Sequence, residues 1–391
     1  MRHLILLLSL TLAALAADPL YKSELIFPQE KWHNHSSSIV ELPNGDLLVC
    51  WFHGSGERTA DDVLIQAARW TKKSGKWGAP FTIADTPGFP DTNPTMFIDS
   101  RKRLFLMWPV IVAHQWESAL MKYRISTDYM QESGPPKWEH QDNIILIPKN
   151  IGAKTREVLG ADKDAPGKRG DSARRLIEKA DDMYFSRMGW FTRTHPQQLP
   201  SGRILAPMYS DGYSFGIMAI SDDGGYTWTA SEPIVGYGGI QPSVVRKKDG
   251  ELVAYLRDNG PPPKRAQISY SKDDGVSWTG AKDSELLNPG TSLEVIALKN
   301  GDWIAVHNDL EEGRWSLVAT ISDDEGKTWK WHRHLDGTPE NKVPKQYHYP
   351  SVMQAKDGSI HITYSYFTPD GKSIKHAQLA EEWVKVGDPK L

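Results

Sequence analysis

Cysteine is nearly absent: Cys50 stands alone among 391 residues, so no intramolecular disulfide can staple the chain and its stability has to come from packing. An excess of charge is also missing. Forty-six Lys and Arg against 49 Asp and Glu leave a formal charge of −3, far from the basic footprint of a protein that holds polyphosphate chains, which argues against a nucleic-acid partner. Long apolar runs are lacking too. The longest, residues 4–12 and the alanines after it, stops short of the ~20 residues that a spanning helix needs, so no membrane span is expected. That run follows Arg2 and His3 and ends at Ala14-Leu15-Ala16, the small-x-small pattern of a cleavage site. Residues 1–17 therefore read as a signal peptide, the mature chain as 18–391, and its location as secreted or periplasmic.

Glycine (32), proline (26) and tryptophan (15) are what the chain has in quantity, the mark of a turn-rich, aromatic-rich globular protein. The turns repeat. SDDGGYTW ending at Trp228, SKDDGVSW at Trp278 and SDDEGKTW at Trp329 all fit S-x-D-x-G-x-[ST]-W, at intervals of 50 and 51 residues. That period suits a four-stranded propeller blade and is too long for a leucine-rich or ankyrin unit. Degenerate copies end at Trp77, Trp138 and Trp383, making six. In such a box the Asp can bond backbone N–H groups of its own turn, Gly takes positive φ and the Trp packs between sheets, so Asp223, Asp273 and Asp324 read as fold staples and not as catalysts.

Out of phase with the boxes, six hairpins recur, beginning near Ser36, Asn93, His195, Gln241, Thr291 and Tyr349. Asn44-Gly45, Asp249-Gly250, Asn300-Gly301 and Asp357-Gly358 mark four of their turns, since these pairs tolerate φ > 0. The expectation is an all-β, six-bladed β-propeller with four-stranded antiparallel blades. One interval breaks the rhythm: Trp138 to Trp228 is about 40 residues too long, and the surplus at 139–190 is charged, with a helical patch around residues 172–180. It reads either as a surface excursion or as a lid over a pocket.

If the first two strands of each blade form a hairpin, the start of the first and the end of the second lie on one face around the axis. That face collects His35, Glu57, Arg58 and Asp62; Asn93; His195 with Tyr209 and Asp211; Gln241 with Arg257, Asp258 and Asn259; His307 and Asn308; and His348 and Tyr349. Such polar density at strand ends points to a pocket rather than to packing. No close His pair beyond His33/His35 and His332/His334 has zinc-like spacing, so neither a metal nor another cofactor is expected.

The boxes, the hairpins and the leader resemble the sialidase (neuraminidase) superfamily of Asp-box, or bacterial-neuraminidase-repeat, six-bladed propellers. The resemblance implies a glycan substrate and an exo-acting glycosidase that removes a terminal acidic or deoxy sugar. It would make Tyr349 the nucleophile, Asp62 (or its neighbour Asp61) the acid/base and Arg257 one of the arginines that grip a carboxylate. Three positions depart from it. The arginine that opens the family's first blade is replaced by His35-Ser36-Ser37, the glutamate that would deprotonate the tyrosine by Gln241, and Asn288-Pro289-Gly290-Thr291 carries no arginine. An amide cannot accept that proton. Histidines stand instead at four blades, and His195 and His348 join Asp62 and Tyr349 as candidate catalytic groups. Two alternatives stay open: a non-catalytic carbohydrate-binding propeller, and a histidine-centred hydrolase or lyase acting on uronate linkages.

Overall fold

Strands covered by apolar layers on both faces read as unbroken apolar runs, and Leu47–Gly54, Leu104–Ile111, Leu252–Asp258 and Trp303–His307 are such runs. The computed structural model, which describes residues 18–389, shows why. Six antiparallel sheets are arranged as the blades of a propeller, each with its first strand innermost. The leader read at residues 1–17 lies outside the described residues.

Blade I consists of His33–Glu41, Leu47–Gly54, Leu64–Thr71 and Lys76–Trp77, with Phe81–Ala84 also on its third strand. Blade II is Thr95–Ile98, Leu104–Ile111, Ala119–Ser126 and His140–Ile144. In blade III the inner strand is broken into Phe191–Thr192 and Gln197–Gln198, both on Ile204–Ser210, followed by Phe215–Ser221 and Thr229–Ala230. Blade IV runs through Gly239–Arg246, Leu252–Asp258, Arg265–Ser271 and Lys282–Leu287. Blade V runs through Glu294–Ala297, Trp303–His307, Leu317–Ser322 and Trp331–Asp336. Blade VI takes Gln346–Gln354, Ile360–Thr368 and Gly371–Leu379 from the end of the chain and its outermost strand, Tyr21–Leu25, from the beginning.

The core is six separate interblade layers. Because successive side chains on a strand point to opposite faces, Leu48, Cys50 and Phe52 pack against blade II while Leu47, Val49 and Trp51 pack towards blade VI. Leu252, Ala254 and Leu256 likewise face blade III, and Val253 and Tyr255 face blade V. Every middle strand thus serves two cores, which removes the apolar/polar alternation of a one-sided sheet.

The boxes are staples in the structure. Asp223 accepts from Ser221 Oγ at 2.8 Å, from the Tyr226 and Thr227 N–H groups at 3.0 Å and from Thr227 Oγ1 at 2.6 Å. Asp273 and Asp324 repeat the pattern through Ser271, Ser277, Ser322 and Thr328. Desolvation works against ionisation there, yet these bonds outweigh it and hold all three carboxyls below the usual range. The tryptophans are less uniform than their repeat: Trp278 is buried, 2% exposed, while Trp228 and Trp329 are half-buried. Trp383 is not in a box turn at all. It lies in the short helix Glu381–Val386 and stacks on Tyr21 at 4.2 Å.

Three helices fill the long interval: α1 (Ile151–Leu159), α2 (Lys168–Ala180) and α3 (Met183–Arg187). Ile151, Thr155 and Leu159 form the buried stripe of α1, and Gly170, Ala173, Leu176 and Ala180 that of α2, at helical spacing. Gly170 is required, since a Cβ there would stand 1.9 Å from the Ala165 carbonyl oxygen. These stripes dock on the layer between blades II and III, with Tyr209, Tyr213 and Phe215. Among the described residues no helix is long and apolar enough to cross a membrane.

Candidate functional site

Four residues that head the inner strands share an unusual backbone. Ser36, Asn93, Gln241 and Tyr349 have φ of 59°, 40°, 52° and 57°, in the left-handed region that non-glycine residues rarely adopt. Ladder irregularities follow three of them, between His35 and Ser38, Ile240 and Ser243, and His348 and Ser351. A bulge there re-aims a side chain out of the sheet. Strain of this kind costs about 1–3 kcal/mol per residue and collects where function demands a particular geometry.

Asn93, Gln241 and Tyr349, with His35 beside Ser36, line an axial cavity of about 390 Å³. Tyr349, 9% exposed, is part of its lining. Its hydroxyl accepts from Arg257 Nη1 at 2.8 Å and from Gln241 Nε2 at 3.4 Å. Gln241 also donates to Tyr209 Oη at 2.9 Å, as does Asn93 at 3.2 Å, so the amide and the two phenols form one connected base to the cavity. The Gln241 Oε1 is buried without a hydrogen-bond partner. Two more guanidiniums face the Tyr349 ring, Arg193 at 5.2 Å and Arg314 at 5.8 Å. Arg193 is fully enclosed and donates to the Pro350 and Ser37 carbonyls, a brace for two inner strands. Arg257 and Arg314 line the cavity, and among the described residues neither has a carboxylate at salt-bridge distance. Burial makes the Arg314 cation less favourable and lowers its pKa, whereas Arg257, also desolvated, is raised by the phenols and Asp211 around it.

Two carboxyls reach the same space. Burial pushes Asp211 up to about 6 despite the nearby Arg257 cation, so its carboxyl can carry a proton in mildly acidic solution. Glu57 is held below its ordinary value: desolvation opposes this, but His33 Nε2 at 3.0 Å and the Arg58 and Arg314 cations prevail. Two carboxyls in one cavity are thus driven in opposite directions, an arrangement suited to acid/base division. Arg58 stands over the Trp116 ring at 5.3 Å.

The histidines divide. His35 lines the cavity, its ring 4.2 Å from that of Tyr349 and its Nδ1 2.7 Å from Ser365 Oγ. His348 packs behind it at 4.6 Å, with Nδ1 3.4 Å from Arg314 Nη1. Burial, then neighbouring cations and imidazoles, depress both pKa values strongly, so both rings are neutral at neutral pH. His195 lies away from the lining, tied to Glu294 Oε1 at 2.9 Å and the Ile39 carbonyl at 2.9 Å. Burial disfavours its charge but Glu294 outweighs that and raises its pKa, giving an ion pair that joins blades I, III and V.

Of the residues singled out in the sequence, His35, Glu57, Asn93, Tyr209, Asp211, Gln241, Arg257, Asn259 and Tyr349 come together in the lining. Asp62 does not: its carboxylate accepts from Ser55 N–H at 3.2 Å and Ser55 Oγ at 2.7 Å within its own loop, while the adjacent Asp61 binds His114 at 2.6 Å. Asp258 caps the Gly260 N–H, Asn308 donates to the Ser316 and Tyr347 carbonyls, and His307 sits between the Leu287 carbonyl and Thr320. Arg314, Trp116 and Phe52 were absent from the sequence-based set. Arg314 comes from the connection after Trp303–His307, so blade V supplies an arginine from its second connection although its first strand has none. None of residues 139–190 lines this cavity. Among the described residues no cluster of three His, Cys, Asp or Glu could hold a metal ion.

A sequence profile described as BNR repeat-like domain matches residues 45–362. The chain belongs to this family. Its fold is that of the sialidase superfamily: over 92% of the chain it superposes on a K499G mutant of NanB sialidase from Streptococcus pneumoniae, with a TM-score of 0.67, 12% identity and 71% of that chain covered. A leech intramolecular trans-sialidase gives 0.67 at 14% identity, covering 93% of this chain and 71% of that one. A protein of unknown function from Dyadobacter fermentans gives 0.68 at 16% identity, covering 92% and 99%. No curated protein matches significantly. This BNR repeat-like propeller therefore shares an architecture with sialidases, and its chemistry has to be argued from its own cavity.

Proposed function

We propose that this protein acts on glycans as an exo-acting glycosidase that removes a terminal acidic sugar. The observation that carries the reading is the pair Arg257 and Arg314, two guanidiniums without a carboxylate at salt-bridge distance among the described residues, which face Tyr349 in the axial cavity. A buried cation without a counterion is costly, and an anionic ligand supplies that counterion through charge-assisted bonds. A sugar carboxylate held there brings the anomeric centre towards Tyr349, with Asp211 as proton donor to the leaving oxygen. Negative charge developing on the Tyr349 oxygen is met by Arg257. Gln241 fixes the phenols without taking a proton, so the base of a sialidase-like site is missing, and the ionised Glu57 and the neutral His35 are the lining groups able to accept one. Arg193 is engaged with backbone carbonyls, which leaves two arginines where a sialidase-like site grips its carboxylate with three, so a sialoside is the less suited acidic substrate and a uronide the better one. Export, read from residues 1–17, is consistent with a glycan outside the cytoplasm.

The test is a panel of aryl glycosides of uronic acids, sialic acid, rhamnose and neutral sugars. Turnover of a uronide, abolished in Tyr349→Phe and weakened through KM in Arg257→Ala by about 1.5–3 kcal/mol, is expected. Tight binding of an acidic sugar without turnover would instead make the propeller a lectin-like binder. Release of an unsaturated product would mark a lyase.

A further inference from the structure

A second cavity of about 840 Å³ adjoins the axial one and shares Asn259 with it. Helix α2 forms one wall; the turn at Pro261, Pro262 and Pro263 and the start of the strand Lys282–Leu287 form the other. The chemistry described above does not use it. Its charge is lopsided. Lys168, Arg175 and Lys282 line it without a carboxylate at ion-pair distance among the described residues, against Asp283 alone on the acidic side. A fourth cation, Arg169, is neutralised by Asp162 at 2.9 Å, and Asp162 also accepts from Tyr237 Oη at 2.6 Å.

An independent feature lies at the floor. Gln267 is 5% exposed and donates through Nε2 to the Tyr237 carbonyl at 2.9 Å, which leaves its Oε1 buried and without a partner while it lines the cavity. A desolvated amide oxygen is an acceptor waiting for a donor, and a hydroxyl supplies one. Three prolines add apolar surface to the lining, and the Tyr237 ring carries the Arg169 guanidinium at 5.1 Å. Anionic groups, hydroxyls and C–H faces together are the chemistry of a charged sugar ring.

We propose that this cavity is a second subsite, which holds a carboxylated or sulfated sugar further along the chain whose terminal residue occupies the axial cavity. This rests on the glycan reading of that first cavity and makes the preferred substrate a polyanionic glycan rather than a short acidic glycoside. The long interval between blades II and III then has a purpose, because α2 brings Lys168 and Arg175 to a wall that the blades alone do not build.

The test is calorimetric titration of the full mature chain with three hexasaccharides: an oligogalacturonate, a heparin fragment and maltohexaose. Arg175 and Lys282 are exposed, so the double variant Arg175→Ala/Lys282→Ala leaves the buried stripe of α2 intact, and its melting temperature checks folding. One anionic hexasaccharide is expected to bind, more weakly as salt rises, and to lose about tenfold or more in affinity in the double variant, while maltohexaose binds poorly throughout. The oligogalacturonate and heparin arms separate carboxylate from sulfate recognition. Equal affinity of wild type and a folded double variant, or no binding of either anionic chain, overturns the proposal. Failure of the axial reading shows elsewhere, as an absence of turnover of every monosaccharide glycoside. Loss of hexasaccharide binding in the double variant would then still support the second subsite.

Discussion

Asp211 carries the sharpest single-residue consequence. Its carboxyl is buried beside the cavity and raised to about 6, so a reaction that needs its proton loses rate as pH rises through about 6. Asp211→Asn should abolish that limb together with most turnover, whereas Asp62→Asn, altering a carboxylate engaged with Ser55, should change kcat far less. A pH–rate profile of both variants checks this; the opposite ranking would return the acid role to Asp62. The linkage has a definite sign. The native carboxyl binds its proton more tightly than the unfolded one, near 4, so this group lowers stability as pH rises from about 4 to 6, and Asp211→Asn should flatten that part of the curve. At this scale the sequence was informative where a residue heads an inner strand, as Tyr349, Gln241 and Asn93 do, because the strand start fixes which way it faces. Arg314 sits inside an irregular connection with no period to locate it, and Asp62 shows that standing at the right strand end does not decide where a carboxylate points.

The box is the element whose repeat can be tested directly. Trp278 is buried and Trp278→Ala should cost about 3–5 kcal/mol, as large-to-small core changes do. Trp228 and Trp329 keep part of their surface in water, so the same change there should cost clearly less. Urea melts of the three variants rank them; equal losses would mean that exposure of the indole does not set its contribution, and small losses in all three that the turn carries the box. Boxes, hairpin turns and their spacing were legible because each depends on a local rule, Asp bonding its own turn or Gly at positive φ. Helix α2 was visible as a patch at 172–180, while its start at Lys168 and its partner α1 were not, since their apolar stripes are short and gain meaning only against Tyr209 and Phe215. The broken inner strand of blade III likewise has no local signature.

For the molecule as a whole, the decisive pairing is Tyr21–Leu25 against Gly371–Leu379, reinforced by Tyr21 on Trp383 and by the Ile26 N–H bonding the Ile374 carbonyl at 2.9 Å. Removing residues 18–25 should unpair Lys375–Leu379, five residues at the edge of the strand Gly371–Leu379, and deprive the layer between blades V and VI of Tyr21. A lower melting temperature with concentration-dependent aggregation is expected, and a truncated protein as stable and monomeric as the parent would show that the ring does not depend on this strand. The same pairing governs the order of assembly. Blades I to V and three strands of the sixth can form from neighbouring sequence, but the outermost strand of the sixth has to wait until the chain's start meets its end, a loop closure across almost the entire polypeptide. During synthesis the first strand is made early and has no partner until the last blade emerges. The axial cavity takes Tyr349 from the innermost strand of that blade, so a chain stalled before its last hairpin is made would hold Arg257 and Arg314 without the phenol that both face.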